Sequence, residues 1–350
     1  MTLRLGIGAH PYTQEGVAFV RDAERLGVDS AWMPEAWGFD ALTPLAYLAA
    51  QTSTIRLGTA IAQLGARTPA TLAMSALSMQ ALSGGRFVLG LGTSGPQVME
   101  GWHGVRFEHP ISRTRETIEI VRRIASGERS RHEGEVYTLP LPGGAGRSIR
   151  SSAPSAPVPI YIASLGPANL RLTGELADGW IGTSFMPETA DAFLGPIRDG
   201  AAAAGRSLAS LDLSAPAAVE FTDDVDEAAK RHARGYAFTF GAMGSARQNF
   251  YNNAFARQGF GDDVAAVEQL WRSGDREAAA ARVPAEIGLR TNLLGTPAMV
   301  AERLRLYRDC GITTLRVHVA GSASERLDHL GTLLDVVAEV NAEIEPIESH

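Results

Sequence analysis

The side chains that could do chemistry fall at intervals along the chain. His10 and Tyr12 come first, then Glu35, Trp37 and Asp40, then Gln63. Thr93, Ser94, Gln97, Glu100, Trp102 and His103 form a denser group, and Ser164, Thr183, Ser184 and His318 follow. A positioned carboxylate or imidazole is the common proton carrier in catalysis. Other chemistries are poorly served. A metal centre needs clustered histidine and carboxylate ligands; the histidines here are scattered, with no His-x-His pair after His10, so no metal is expected. A serine nucleophile in G-x-S-x-G is not matched by Ser94 in LGTSGPQ. Schiff-base chemistry needs a lysine in the pocket, and the single lysine, Lys230, lies in the polar run DDVDEAAKRHAR.

Two features suit a bound cofactor. In ASLGPANLRL, Gly166 allows close backbone approach and Pro167 suits a first helical position. Free N–H groups at such a helix start favour an anion such as phosphate, although an ordinary helix cap has the same signature. WGFDALTP and EGWHGVRF set aromatic rings beside polar groups, as a planar ligand requires; loop packing explains each ring equally well.

These residues need a scaffold. Short apolar runs alternate with longer helical ones: RLGIGA, DSAWMPE, IRLGTAIAQL, RFVLGLG, PIYIAS, DGWIGTS, SLDLSAPAAVEF and ITTLRVHVA read as strands, each followed by a helical pattern. The seventh helix is placed at DVDEAAKRHARGYAFTF. Strict alternation implies a parallel sheet, and eight units favour a (β/α)8 TIM barrel. An open doubly wound sheet would want a G-x-G-x-x-G after the first strand, which GIGAHPYTQEG lacks. The 350 residues, 45% apolar and 20% charged, fit one domain over 1–350 with insertions near 93–111, 128–159 and 241–297. The first and third follow strands, so they are expected to wall the active-site face. A net charge of -7 with no basic tract argues against nucleic acid or an anionic membrane as a partner. No apolar run reaches the roughly 18 residues that span a bilayer. Cys310 is the one cysteine, so no intrachain disulfide forms. A cytoplasmic location and a small-molecule substrate are expected.

LSGGRFVLGLGTSG resembles the third helix and fourth strand of bacterial-luciferase-like flavin and deazaflavin enzymes. GPANLRLTGELADGWIGTS, WMPEAWGFDALTPLAYLAAQT and IRLGTAIAQLGARTP resemble the coenzyme F420-dependent branch of that superfamily. The resemblance runs from Leu3 to about Val319 and is weakest between Glu128 and Pro159. It implies hydride transfer between carbon 5 of the deazaflavin and a small organic substrate; an FMN-dependent monooxygenase is the alternative, and a non-catalytic deazaflavin-binding protein a third reading. It places a non-proline cis peptide bond at Ala60–Ile61 and, with Gln63, behind the ring. Thr93, Ser94 and Gln97 would close over the ring. Ser164, Gly166 and Pro167 would hold the cofactor's tail and phosphate, with Thr183 also contacting it. Relatives often carry an aspartate followed by histidine where this chain has Glu35 and Ala36, so Glu35, His10 and His103 are the candidates for handling the proton. A homodimer is also implied.

Overall fold

The computed structural model describes residues 2–243 and 249–343. Eight parallel strands follow one another round a closed ring: β1 (Arg4–Gly8), β2 (Ser30–Met33), β3 (Arg56–Thr59), β4 (Phe87–Gly92), β5 (Ile160–Ala163), β6 (Gly179–Ile181), β7 (Asp212–Phe221) and β8 (Thr314–Val319). β8 closes the ring by pairing with β1, Arg4 opposite Thr314 and Ile7 opposite Val317. The TIM barrel expected from the alternation is therefore present. Helices α1 (Gln14–Leu26), α2 (Leu42–Ala49), α3 (Pro69–Ser83), α4 (Pro110–Ala125), α5 (Pro167–Leu176), α6 (Asp191–Ala203), α7 (Pro297–Asp309) and α8 (Ala323–Ala342) surround it. Their ends are written in the sequence. Thr13 caps α1 by accepting from the Gly16 N–H, and Gly27 ends it in the left-handed region, which glycine enters without steric cost. Ser322 and Glu325 form a reciprocal capping box on α8.

Successive residues of a strand face opposite sides, and the two sides are filled differently. Outward residues such as Leu5, Met33, Leu57, Leu89, Ile162 and Leu315 are buried against the helices. Inward, Trp32, Val88, Tyr161 and Ile181 form a separate apolar plug, with Ala60, Ile61 and Ala163 packed on it. Trp32 fits because its neighbours lack side chains. A Cβ on Gly58 would lie 2.3 Å from the indole, and one on Gly6 would lie 2.7 Å from Ser30 Oγ.

The N-terminal end of the interior is polar and balanced. Asp212 accepts from Arg4 at 2.8 Å, Arg56 at 3.2 Å, the Tyr161 hydroxyl at 2.8 Å and Thr313 Oγ1 at 2.5 Å. Burial pushes the Asp212 carboxyl up, but Arg4, Thr313 and Arg56 outweigh it and hold the group below its ordinary value.

Two departures from the sequence reading, the seventh helix and an extra strand, have local causes. The helix after β7, Val225–Arg234, does not pack on the barrel as the seventh helix. Its buried face is only Ala228, Ala229 and Ala233, and it lies so close to helix Ala285–Arg290 that a Cβ on Gly288 would sit 2.1 Å from the Ala229 carbonyl. The barrel position is taken by α7, whose Val300, Leu304 and Tyr307 reach the core. A further strand, Leu293–Gly295, runs parallel to the top of β7. β7 outreaches β6 by seven residues, ten against three, and the extra strand, with Asn292 accepting from the Ala218 N–H, satisfies backbone groups left at its edge. The insertion at 128–159 follows α4 and so leaves from the N-terminal face. It contains a small hairpin, His132–Glu133 with Thr138–Leu139. Its turn is held by Glu116, which accepts from the N–H groups of Glu135, Val136 and Tyr137.

The insertion after β7 is helical, with Tyr236–Ala242, Phe250–Phe255, Gly261–Arg272, Arg276–Arg282 and Ala285–Arg290 around its own cluster of Phe240, Phe255, Val267 and Ile287. Of its aromatic run, Arg247 and Gln248 lie outside the described residues. Among the described residues, no helix is long and apolar enough to cross a membrane.

Replacing Asp212 with Asn tests the balanced layer. Stability to urea should fall by about 3–5 kcal/mol at pH 7, the usual effect of removing one member of a buried ion pair. The folded carboxyl titrates below its unfolded value, so its contribution is present above the ordinary carboxylate range and disappears as pH falls through the folded pKa. The gap between variant and parent should therefore narrow as pH falls below the ordinary carboxylate range; a gap that does not change on acidification would contradict this.

Candidate active site

The C-terminal ends of the strands open into a mouth, and the sequence-derived residues fall on it in three groups. The first is built on β2, β3 and the loop after β4. Glu35 follows β2, and its carboxylate accepts two bonds from Arg67, at 2.7 and 2.5 Å, and one from the Gln63 N–H at 3.1 Å. Gln63 is buried and donates through Nε2 to the carbonyls of Glu35 and Ala36. Its Oε1 therefore faces His103 Nε2 at 2.7 Å. Carbonyl oxygens only accept, which fixes the amide orientation; His103 must then carry its hydrogen on Nε2. Its Nδ1 has no partner among the described residues. The peptide bond Ala60–Ile61 is cis, as expected, and Ala60 and Ile61 sit on the interior plug. Thr93 and Ser94 follow β4, Ser94 in the left-handed region. Gln97 opens the short helix Pro96–Met99 beyond them.

The second group surrounds the start of α5. Ser164 is buried; its hydroxyl meets Thr173 Oγ1 at 2.8 Å. Thr173 spends its own hydrogen on the Asn169 carbonyl, so Ser164 donates inward and has no hydrogen left for a ligand. Gly166 is the N-cap residue and Pro167 begins the helix; no side chain caps the free N–H groups. Above them lies a residue that sequence reasoning missed. Arg257, from the insertion after β7, donates to the Leu165 carbonyl at 2.5 Å and rests over the Phe193 ring. No carboxylate within 4.0 Å pairs with it among the described residues, and desolvation lowers its pKa. Gln258, next in sequence, was missed too. It donates to the Ser184 carbonyl and accepts from the Met186 N–H, pinning the loop that carries Thr183.

The third group lies on β8 and β1. Arg316, His318 and His10 share it. Burial, then His318 and then Arg326, hold the His10 imidazole below its ordinary value. Tyr12 stacks on Phe39 with ring centres 4.0 Å apart at the rim, where Trp37 and Trp102 are largely exposed. Arg67 and Arg257 lie outside regular strands and carry no periodic signal. Arg316 did carry one, since it alternates with Thr314 and His318 on the inward face. Among the described residues no cluster of three His, Cys, Asp or Glu side chains could hold a metal ion.

Residues 3–314 match the family model described as luciferase-like monooxygenase. A Mycobacterium tuberculosis protein provisionally named a coenzyme F420-dependent oxidoreductase is 38% identical over 336 residues, covering 93% of this chain and 96% of that one. The 5,10-methylenetetrahydromethanopterin reductase of Archaeoglobus fulgidus is 30% identical over 310 residues, 87% of this chain and 88% of that protein. Among solved structures, the coenzyme F420-dependent tetrahydromethanopterin reductase of Methanopyrus kandleri superposes with a TM-score of 0.77 at 22% identity, over 95% of this chain and 98% of that one. That likeness concerns the fold.

The Glu35–Arg67 pair is shielded, with side-chain exposures of 9% and 18%. Arg67→Met should therefore lower stability by about 3 kcal/mol by stranding the carboxylate. The double variant Glu35→Met/Arg67→Met should regain most of that loss in a urea-denaturation cycle. Simple addition of the two single effects would show that the groups do not depend on each other.

Proposed function

The chain belongs to the luciferase-like monooxygenase family and is an oxidoreductase; from that premise we propose that it works with coenzyme F420, passing a hydride between the deazaflavin and a small organic substrate. The structural observation that carries cofactor binding is the uncapped start of α5 with Arg257 over it. Helix N–H groups and an acid-free guanidinium suit a phosphate-bearing tail. Asn169 Oδ1, buried in the first turn of α5 without a partner among the described residues, is an acceptor and suits a hydroxyl of the tail, not its phosphate. The small apolar surface of Ala60, Ile61 and Ala163 suits the face of a flat ring. Similarity to relatives named for F420 favours the deazaflavin over FMN.

When bound, the deazaflavin supplies carbon 5 as hydride donor or acceptor. The chain's residues hold and enclose it. Ala60, Ile61 and Gln63 would lie behind the ring, Thr93, Ser94 and Gln97 would close the side under the loop after β4, and Thr183, just past β6, would contact it. Gly166 and Pro167 take the tail through backbone and helix start; Ser164, whose hydroxyl is spent on Thr173, shapes that loop from within. Proton movement falls to His103 through its unbonded Nδ1 and to His10, whose lowered pKa keeps it neutral and able to accept near pH 7. Glu35 is locked to Arg67 and acts through Gln63, fixing the His103 ring. A homodimer belongs to this reading: α3 exposes Met74 and Leu82, which a second copy would cover.

Equilibrium titrations with F420, FMN and NADP side by side test the cofactor. F420 should bind best. Arg257→Met should weaken F420 by about 10–100-fold, as loss of a charge-assisted phosphate contact does, while leaving a deazaflavin without the phosphate tail unaffected. Binding of FMN but not F420 would overturn the reading. For the dimer, sedimentation should give about twice 37.2 kDa, and Met74→Glu with Leu82→Glu should give a monomer; an unchanged mass would remove α3 from the interface.

A further inference from the structure

Three arginines point into the barrel, and two are neutralised. Arg4 and Arg56 share Asp212, and Arg56 also pairs with Asp29. Arg316 has no acid. It sits one strand beyond Arg4, opposite Gly6 of β1 and Pro216 of β7. Its Nε donates to Ser214 Oγ at 3.1 Å and its Nη2 to the Gly182 carbonyl. Both acceptors are neutral, and Nη1 has no bond among the described residues. No carboxylate lies within 4.0 Å, and desolvation alone acts on the guanidinium, pulling it down to about 10. The side chain is neither sealed in nor at the surface.

Two imidazoles lie on the same side, and each can donate an N–H to an anion. His318 lies two residues on, on the same face of β8 and opposite Ala218 of β7. His10 follows β1 and feels His318 and Arg326 as like charges. Glu220, two residues beyond Ala218 on β7, pairs with Arg231 and His232, and Glu35 pairs with Arg67. A desolvated cation without a counter-charge is unfavourable. The unbalanced charge faces the one end of the barrel that admits a ligand.

We propose that Arg316, flanked by His318 and His10, is an anion subsite on the floor of the mouth, and that the substrate carries a carboxylate or phosphate that docks there. The subsite is separate from the cationic place at Arg257, which serves the cofactor's tail. As to what the anion belongs to, the proposal rests on the hydride-transfer reading above.

The test uses the full chain, titrated calorimetrically with benzoate, phenyl phosphate and the neutral isostere benzamide, with F420 binding followed in parallel. At least one anion should bind 10-fold or more tighter than benzamide, and the tighter of the two identifies the group. Arg316→Met should abolish that preference, and Arg316→Lys should keep part of it. Arg257→Met should leave it in place, which excludes binding at α5. Benzoate or phenyl phosphate should raise the parent's Tm but not that of Arg316→Met. Equal binding of all three probes, no binding at millimolar levels, or a preference that survives Arg316→Met would each overturn the proposal. Failure of the parent to bind F420 would instead overturn the cofactor reading and leave the anion measurement standing.

Discussion

A ring of strands that closes on itself has an inside, and every side chain pointing inward must find its partner there. The rest of this structure follows from how that demand is met at three heights. At the N-terminal end, Asp212 balances Arg4 and Arg56 while accepting from Tyr161 and two threonines. In the middle, Trp32 fills space that Gly6 and Gly58 leave vacant. At the C-terminal end the filling stops, and the inward positions carry Ala60, Ala163, Arg316 and His318 instead of bulky apolar groups.

The mouth is then finished by segments that the barrel does not need for closure. Arg67, from the loop after β3, locks Glu35, and through Gln63 the lock reaches His103. The insertion after β7 supplies Arg257 to the start of α5 and Gln258 to the loop after β6. Three loops from distant parts of the chain are thus tied by hydrogen bonds to a rigid ring, which gives side chains on loops fixed positions. Arg257 and Arg316 have no carboxylate within 4.0 Å among the described residues, and they come from different segments, the insertion after β7 and β8.

Much of this was legible in the order of residues. Alternating runs gave eight strands, because inward and outward positions differ in kind and their period is two. Threonine and glycine at the ends of α1 and α3 cap them through contacts with near neighbours in the chain. The cis bond at Ala60–Ile61 and the open start of α5 at Gly166 were reached through resemblance and local motif together. The misassigned seventh helix shows where such reading stops. Val225–Arg234 has a sound helical pattern, but its buried face is alanine, and alanine does not say which surface it will meet.

The sequence by itself determined the strand count, the closed parallel architecture and the stretches that line its open end, since these depend on periodicity and on neighbours within a few residues. Tertiary structure alone decided which charges are cancelled. Asp212 meets Arg4 and Arg56 across more than 150 residues, Arg67 takes up Glu35, and Arg257 and Arg316 are left without a carboxylate. The reason is that Coulomb attraction and desolvation depend on distance and burial in space, and neither quantity is written in the spacing of residues along the chain.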